Sequence, residues 1–233
     1  MAPAATAGPR SRDQPETTRR LVDPASANTK CVLCNAVTAA INDSANHTYD
    51  TALWQSDTFV VTPTIGPLVP GHLMVVAKFH ARSLASMGRA AVHEYAELIE
   101  AVRGRGGPWE EGLLEAEHGG TTAGAAGSCI DHTHVHLIPG LGNLWTGLDG
   151  QLPVIREVRD IAGIATLTRP YIFLRNGQDL RAYDATRATG QLVRRMVCQA
   201  LARDDWDWAL FPALDRVGET VALWNTAIGT HAS

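Results

Sequence analysis

Residues 131 to 140 read Asp-His-Thr-His-Val-His-Leu-Ile-Pro-Gly, and the rest of the chain is best interpreted around this stretch. A β-strand turns successive side chains to opposite faces, so alternate residues lie about 6.6 Å apart on one face. The alternation therefore predicts that His132, His134 and His136 share one face of a strand. Pro139 and Gly140 end the strand, because proline lacks the N–H that a strand ladder needs.

Three alternating histidines are open to more than one interpretation. They can be partly exposed side chains on a polar strand face, but the chain has nine histidines in 233 residues, which makes three in strict alternation hard to dismiss. They can also bind zinc or iron, although no carboxylate or further histidine is obviously directed at the same point. They can finally form a catalytic surface, since a neutral imidazole nitrogen is a competent nucleophile.

Composition and charge limit the classes of partner. The chain has a mass of 25.0 kDa and 45% hydrophobic residues, which predicts a globular protein with one sizeable core. A net charge of −4 argues against a nucleic-acid partner, because a surface that neutralises phosphates is basic. Since no apolar run approaches the roughly 18 residues that span a bilayer, we expect no membrane partner.

The four cysteines and the N-terminal composition predict a cellular compartment. Four cysteines are too few for a disulfide scaffold at this length, which favours a reducing compartment and hence a cytoplasmic protein. Residues 1–28 are rich in Ala, Pro, Thr and Arg and lack the apolar centre of a secretory signal. We therefore predict a disordered N-terminal tail, with an organelle transit peptide as the alternative.

Hydrophobic periodicity predicts the elements around the histidines. Short apolar runs bounded by turn residues predict strands at residues 53–54, 59–61, 73–77, 113–117 and 171–175. Apolar residues at helical spacing predict helices at 89–103 and 192–201. Residues 36–50 are expected to be irregular.

A glycine-rich segment from Gly119 to Gly127 leads directly into the histidine strand. Small residues let backbone N–H groups approach a phosphate closely. The segment therefore predicts an anion cradle, with Gly127, Ser128 and Cys129 beside the phosphate. A flexible loop without this role is the alternative.

Alternating histidines followed by two apolar residues resemble the signature of the histidine triad family of nucleotide hydrolases and transferases. A Pro-Gly-His turn into an apolar strand at residues 69–80 resembles the upstream block of that family. Roughly residues 30 to 210 share the resemblance, which points to a bacterial zinc-containing hydrolase branch. Further matching elements are Cys31-x-x-Cys34, Glu117-His118-Gly119, the run at 127–132 and Trp206-Asp207-Trp208.

The resemblance implies an α+β histidine triad fold. Such a fold has an antiparallel sheet of about five strands with helices packed on one face, here followed by a C-terminal strand and helix extension. We expect a core domain with a zinc knuckle at residues 29–145 and an extension at 146–233 that packs on it. Homodimer formation is also common in the family.

Cys31 and Cys34 are open to three interpretations: half of a zinc site, a redox pair, or two buried cysteines. The resemblance supplies two further ligands, His80 and His132. It thus implies a structural zinc ion that stabilises the fold and does not react.

The resemblance also implies an activity, nucleotide phosphohydrolysis. Such an enzyme releases a nucleoside monophosphate from a dinucleoside polyphosphate, a nucleotide conjugate or a phosphoramidate. His134 would attack phosphorus and form a covalent nucleotidyl-histidine, while His136 and Ser128 would donate hydrogen bonds. The alternatives are a nucleotidyltransferase or phosphorylase with a metabolite acceptor, a non-catalytic nucleotide-binding protein, and a zinc-stabilised interaction protein.

Two positions depart from the family pattern, and the role of two arginines stays open. Relatives often carry Asn or Asp where Thr64 stands, as a contact for ribose, and Gln where Ser128 stands. Either Arg194 or Arg195 could reach a phosphate, because a guanidinium fork suits that geometry. A solvated polar helix face is the alternative for both arginines.

Overall fold

The computed structural model describes residues 31–42, 44, 47–122 and 130–227. The predicted tail at residues 1–28 therefore lies outside the described part of the chain, and so do Gly127, Ser128 and Cys129.

The described residues form one antiparallel sheet of seven strands. The strands are β1 (Trp54–Gln55), β2 (Phe59–Pro63), β3 (Leu73–Ala77), β4 (Leu114–Gly119), β5 (His134–Ile138), β6 (Tyr171–Asn176) and β7 (Asp179–Asp184). Their order across the sheet is β1-β2-β3-β5-β4-β6-β7, so β5 is a central strand, paired with β3 on one side and with β4 on the other. Strands held on both sides are the most rigid part of a sheet, which suits a strand that carries the histidines.

Six α-helices accompany the sheet in the part of the chain that the structure describes. None of the helices in the described part of the chain combines the length and the apolar character needed to cross a membrane. They are α1 (Val32–Ile41), α2 (Leu84–Met87), α3 (Arg89–Arg103), α4 (Ile161–Ile164), α5 (Leu192–Ala200) and α6 (Leu214–Ala227), and short 3₁₀ helices lie at Thr48–Asp50, Gly107–Trp109 and Gly142–Thr146.

One face of the sheet, the α3 face, is closed by close packing. Tyr95, Ile99 and Val102 follow one another at helical spacing on α3 and are fully buried against the sheet. The strand contribution to this core includes Val135 and Leu137 of β5. Each such aliphatic side chain contributes about 1.5–3 kcal/mol by leaving water, so this core fixes the position of β5 from behind.

The opposite face, the histidine face, is covered at its two ends by different helices. At one end Leu33 and Val37 of α1 pack on Met74 and Val76 of β3. At the other end α5 packs on β4 and β6 through a second apolar cluster that includes Val193 and Val197. The middle of this face, over β5, is left as a cavity.

The sequence prediction of an antiparallel α+β sheet is confirmed, with two differences in detail. The sheet has seven strands and not about five, because β6 pairs with β4 and β7 continues the sheet from β6. Helices lie on both faces, since α1 and α5 cover the ends of the histidine face. The separate prediction that residues 36–50 are irregular was wrong for residues 36–41, which belong to α1.

Candidate active site

The register of the sheet places the side chains of His134 and His136 at the cavity. His134 pairs with Val76 of β3, and His136 pairs with both Met74 of β3 and Ala116 of β4. Side chains at alternate positions share a face, so both imidazoles point away from the α3 core. The strand itself begins at His134, and His132 precedes it.

The cavity has a volume of about 260 Å³ and is bounded by residues far apart in the sequence. This is room for part of a nucleotide-sized ligand in a cleft that is already formed. Its lining comprises Val32, Leu33, Ala36 and Val37 of α1; Tyr49 and Asp50; Thr62, Thr64, Ile65, Met74 and Val76; His118, Ile130, His134 and His136; and Gln191, Val193, Arg194 and Trp208.

His134 is held in one orientation and one tautomer. Its Nδ1 lies 2.6 Å from the carbonyl oxygen of His132, which can only accept, so Nδ1 carries the proton. Burial lowers the pKa of His134, against the opposing effect of this hydrogen bond, and the neutral ring is favoured. The lone pair of the neutral ring is therefore on Nε2, which leaves this nitrogen chemically able to accept a proton or to attack an electrophile.

His136 is oriented by a second histidine. The backbone N–H of Leu68 donates to Nδ1 of His72 at 3.1 Å, which places the His72 proton on Nε2. That Nε2 lies 3.0 Å from Nδ1 of His136 and donates to it, so neutral His136 carries its own proton on Nε2. Burial lowers the pKa of both rings well below the ordinary value, which keeps them neutral. His136 is thus a fixed hydrogen-bond donor.

His72 is fully buried, and its role exceeds the one that sequence reasoning gave it. The sequence placed it only in the Pro-Gly-His turn that leads into an apolar strand. The signal that could have identified it is its position one residue before β3, which pairs with β5.

Cys31, Cys34, His80 and His132 lie together as a group that could hold a metal ion, with their ligand atoms within 4.8 Å of one another. Nε2 of His132 donates to the carbonyl oxygen of Ala77 at 2.8 Å, so its Nδ1 is left as the ligand atom. Burial lowers the pKa of His132 to about 4, which leaves that nitrogen unprotonated at neutral pH.

The spacing of these atoms fits tetrahedral zinc. Metal bonds of about 2.3 Å to sulfur and 2.05 Å to nitrogen put the two ligand atoms about 3.6 Å apart. Nδ1 of His132 lies 3.5 Å from Sγ of Cys31 and 3.4 Å from Sγ of Cys34. Nδ1 of His80 lies 3.4 Å from Sγ of Cys34. The donor set and the spacing therefore both suit this ion.

Thr64 and Asp50 approach the cavity from the side of β2. Thr64 is buried, and its hydroxyl donates to the carbonyl oxygen of Ile65 at 3.1 Å. Asp50 lines the same cavity from the 3₁₀ helix, and burial raises the pKa of its carboxyl group. Sequence reasoning missed Asp50, because residues 36–50 carried no periodic pattern.

The C-terminal residues line the cavity from the side of α5. Arg194 is buried and lines it, whereas Arg195 is exposed and stacks its guanidinium 3.4 Å from the ring centre of Trp206. Of the two arginines named from the sequence, Arg194 is therefore the one that lies at the cavity. Gln191 and Trp208 also line the cavity and were not predicted to do so.

Three arginines of the extension bind three consecutive carbonyl oxygens of the loop between β2 and β3. Gly66 of this loop has a φ of 64°, and a β-carbon there would lie 2.8 Å from Cβ of Trp208, so only glycine fits. The loop is therefore held against the extension by backbone contacts. The pairs are Arg194 Nη2 to Gly66 O (2.7 Å), Arg216 Nη1 to Pro67 O (2.7 Å) and Arg203 Nη1 to Leu68 O (2.6 Å).

Gly127, Ser128 and Cys129 lie outside the described residues. Their predicted roles beside the phosphate stay predictions.

Over just under half of its length the structure is similar to solved structures of histidine triad proteins. A HIT family hydrolase from Clostridium thermocellum is 20% identical over 48% of this chain and 92% of its own, with a TM-score of 0.38. A hypothetical histidine triad nucleotide-binding protein from Sulfolobus tokodaii is 20% identical over 45% of this chain and 68% of its own, with a TM-score of 0.35. A Hit-like protein involved in cell-cycle regulation from Bartonella henselae is 16% identical over 44% and 73%, with a TM-score of 0.35.

The sequence matches no protein-family model and no curated protein. These structural neighbours are histidine triad proteins, the family whose motifs the sequence resembles. Likeness of this degree carries no conclusion about substrate or reaction, which have to be argued from the cavity.

Proposed function

We propose that this protein is a nucleotide phosphohydrolase that releases a nucleoside monophosphate through a covalent nucleotidyl-histidine. The observation that carries the proposal is the tautomer of His134. Its proton is fixed on Nδ1 by the His132 carbonyl, and the lone pair of Nε2 lies on a ring that lines the cavity. A neutral, oriented imidazole beside an enclosed space is the arrangement that nucleophilic attack on phosphorus requires.

The walls of the cavity support a nucleotide as the ligand. Val32, Leu33, Ala36 and Val37 make an apolar surface on α1 that suits a flat base. Thr64 and Asp50 supply oxygen atoms near that surface for sugar hydroxyls. The phosphate would then lie over β5, between His134 and His136.

In the first step Nε2 of His134 bonds to phosphorus, and the bond from phosphorus to the leaving group breaks. The Nε2–H of His136 donates a hydrogen bond to a phosphoryl oxygen or to the leaving atom, an effect often worth a few kcal/mol. Water then attacks phosphorus, which releases the monophosphate and restores His134. The predicted anion cradle around Ser128 would add further donors.

Zinc at Cys31, Cys34, His80 and His132 would supply a cross-link and no reactive group. The fixed atom that matters is the His132 carbonyl oxygen, because it orients His134. Residues that anchor His132 therefore support the nucleophile indirectly. Metal analysis should find about one zinc per chain, none after combined Cys31→Ala and Cys34→Ala, and one after Cys198→Ala as the control.

The experiment that tests the function is a screen of nucleotide conjugates followed by trapping. Rapid quenching with a labelled nucleotide should attach the label to His134, and His134→Asn should abolish the attachment. Product analysis in ¹⁸O-labelled water should find ¹⁸O in the released monophosphate. Nucleotide label on His134 without ¹⁸O in the monophosphate would instead indicate transfer to another acceptor. Binding of a conjugate with neither result would indicate a non-catalytic nucleotide-binding protein.

A further inference from the structure

Asp50 brings a carboxylate to the wall of the cavity. It is the only Asp or Glu among the described residues that line this cavity, and its side chain makes no hydrogen bond or ion pair to any of the described residues. Burial raises the pKa of its carboxyl group, and the charge of the exposed His47 acts in the opposite direction. The carboxylate has thus lost part of its hydration without gaining a partner, which is costly unless a ligand supplies one.

The position of Asp50 in the fold is at the α1 end of the cavity. The 3₁₀ helix that carries it, Thr48–Asp50, makes its main contacts with α1, β2 and α6. β2 is separated from β5 by β3. The proposed function puts the base on the aliphatic wall of α1 and the phosphate over β5. A carboxylate beside the phosphate would repel it, so the location of Asp50 suits contact with the base.

Thr64 can serve the sugar without help from Asp50. The Thr64 hydroxyl donates to the carbonyl oxygen of Ile65 at 3.1 Å, so its own oxygen keeps lone pairs that can accept from a sugar hydroxyl. Both oxygens of Asp50 are then left for the edge of the base.

An ionised carboxylate only accepts hydrogen bonds, and it presents two oxygens side by side. Guanine matches this pattern, because its N1–H and its N2 amino group are two adjacent donors. Adenine presents an amino donor beside the N1 acceptor, whose lone pair would face a carboxylate oxygen. A site with fixed acceptors discriminates between two such ligands, since the mismatched one leaves polar atoms unpaired.

We propose that Asp50 selects guanine nucleotides, with its two oxygens accepting from N1–H and from the N2 amino group of the base. This inference deepens the proposed function, on which it rests for the position of the base. It also narrows that function, because the sugar is left to Thr64 and the substrate becomes a guanosine conjugate.

Nucleoside monophosphates test the selection, because they are products of the proposed reaction and are not consumed. Calorimetry with the full chain measures the binding of GMP, IMP and AMP. At the edge in question these carry two donors, one donor, and a donor beside an acceptor. GMP should bind about tenfold or more tightly than AMP, with IMP between them. Deoxy-GMP, which lacks the 2′-hydroxyl, reports on contact with the sugar.

Asp50→Asn should reverse the preference. Its amide offers an acceptor beside a donor, which matches the amino group and N1 of adenine and mismatches guanine. GMP should therefore bind about tenfold or more weakly than to the unmodified protein, and AMP more tightly. The ratio of GMP to deoxy-GMP affinity should not change. Asp57→Asn, at an exposed acid outside the cavity lining, should leave every affinity unchanged.

Asp50→Ala should remove the preference without reversing it, and this variant decides the question if Asp50→Asn does not fold. Equal binding of GMP and AMP by the unmodified protein, or tighter binding of AMP, would overturn the inference. So would a guanine preference that survives in the Asp50 variants, or a changed ratio of GMP to deoxy-GMP affinity, which would place Asp50 at the sugar. Guanine-selective binding without turnover of any guanosine conjugate would overturn the proposed hydrolysis and leave this inference standing. If no nucleotide binds, both fail.

Discussion

The histidine face and the α3 face of the sheet both carry buried polar groups, but the groups are satisfied in different ways. On the α3 face, Glu115 is fully buried and binds Arg103, Arg175 and the hydroxyl of Tyr95. On the histidine face, the imidazoles of His134 and His136 are oriented by one contact each and present their other nitrogen to the cavity. Internal pairing indicates a structural role, and a polar atom directed into a cavity indicates a chemical one.

Substitutions at two adjacent residues of β5 test this difference between the two faces most directly. His134→Ala should lower kcat/KM by about a thousandfold or more, because the nucleophile is lost, while the free energy of unfolding changes little. Val135→Ala, its neighbour on the α3 face, should do the reverse and cost about 2 kcal/mol of stability with activity per folded molecule retained. Steady-state kinetics and urea denaturation measure the pair. Retained turnover in His134→Ala would remove the assigned nucleophile.

Glu115→Gln should give the next largest effect, on stability alone. Burial raises the pKa of Glu115, but removal of its charge leaves two arginines, Arg103 and Arg175, without a buried counter-charge. Breaking such a network costs about 3 kcal/mol or more. Denaturation should show this loss, and Glu157→Gln on the surface should show none. A loss under 1 kcal/mol would contradict the structural role.

Glu117 gives the α3 face a pH dependence. Burial raises the pKa of Glu117 to about 7 although Tyr171 and the Leu84 amide donate hydrogen bonds to it. Since the folded state binds the proton more tightly, the stabilisation is complete below pH 4.5 and is lost as the pH rises to about 7. A rise of this size corresponds to about 3 kcal/mol across that window.

The measurement is the difference in unfolding free energy between the unmodified protein and Glu117→Gln, in which effects common to both proteins cancel. The difference should fall by about 3 kcal/mol from pH 4.5 to 7.5. Tyr171→Phe removes a donor to the carboxylate and should extend the upper end of the window to higher pH, while the lower end stays near pH 4.5. A flat difference would show that Glu117 is ionised throughout.

The smallest effect is expected from His72, which acts on the histidine face only through His136. Its loss leaves the buried Nδ1 of His136 without a donor, a cost of about 1–3 kcal/mol. His72→Leu should therefore lower kcat/KM between about fivefold and a hundredfold. His72→Gln, which keeps a donor and an acceptor, should recover part of the loss. If His72→Leu and His72→Gln had equal activity, His72 would have only a packing role.

Local patterns predicted the central elements well. The runs at 73–77 and 89–103 coincide with β3 and α3, because strand and helix periodicity are properties of the sequence itself. α1 was missed even though Cys31 and Cys34 are three residues apart, a spacing that places two ligands on one side of a helical turn. β7 was not predicted from the sequence, since Asp179–Asp184 is only half buried.

The candidate site could be predicted only in part. His134 and His136 follow from alternation along one strand, and the four proposed metal ligands follow from the family resemblance. Asp50, Gln191 and Trp208 reach the same cavity from three separate segments, and no local pattern specifies that they meet. Their convergence is a property of tertiary packing, which appears only once the chain is folded.

The arginine contacts to Gly66, Pro67 and Leu68 have a consequence for any shortened version of this protein. A chain cut at residue 145 would keep β1–β5 yet expose those carbonyls to water and lose the donors that immobilise them. The N–H that sets the His72 tautomer belongs to Leu68. If this loop became mobile, His72 would no longer be held in one orientation, and neither would His136, to which it donates. Residues 31–145 are therefore not expected to carry the proposed activity by themselves, because the loop that orients His72 is held by residues more than 125 positions downstream.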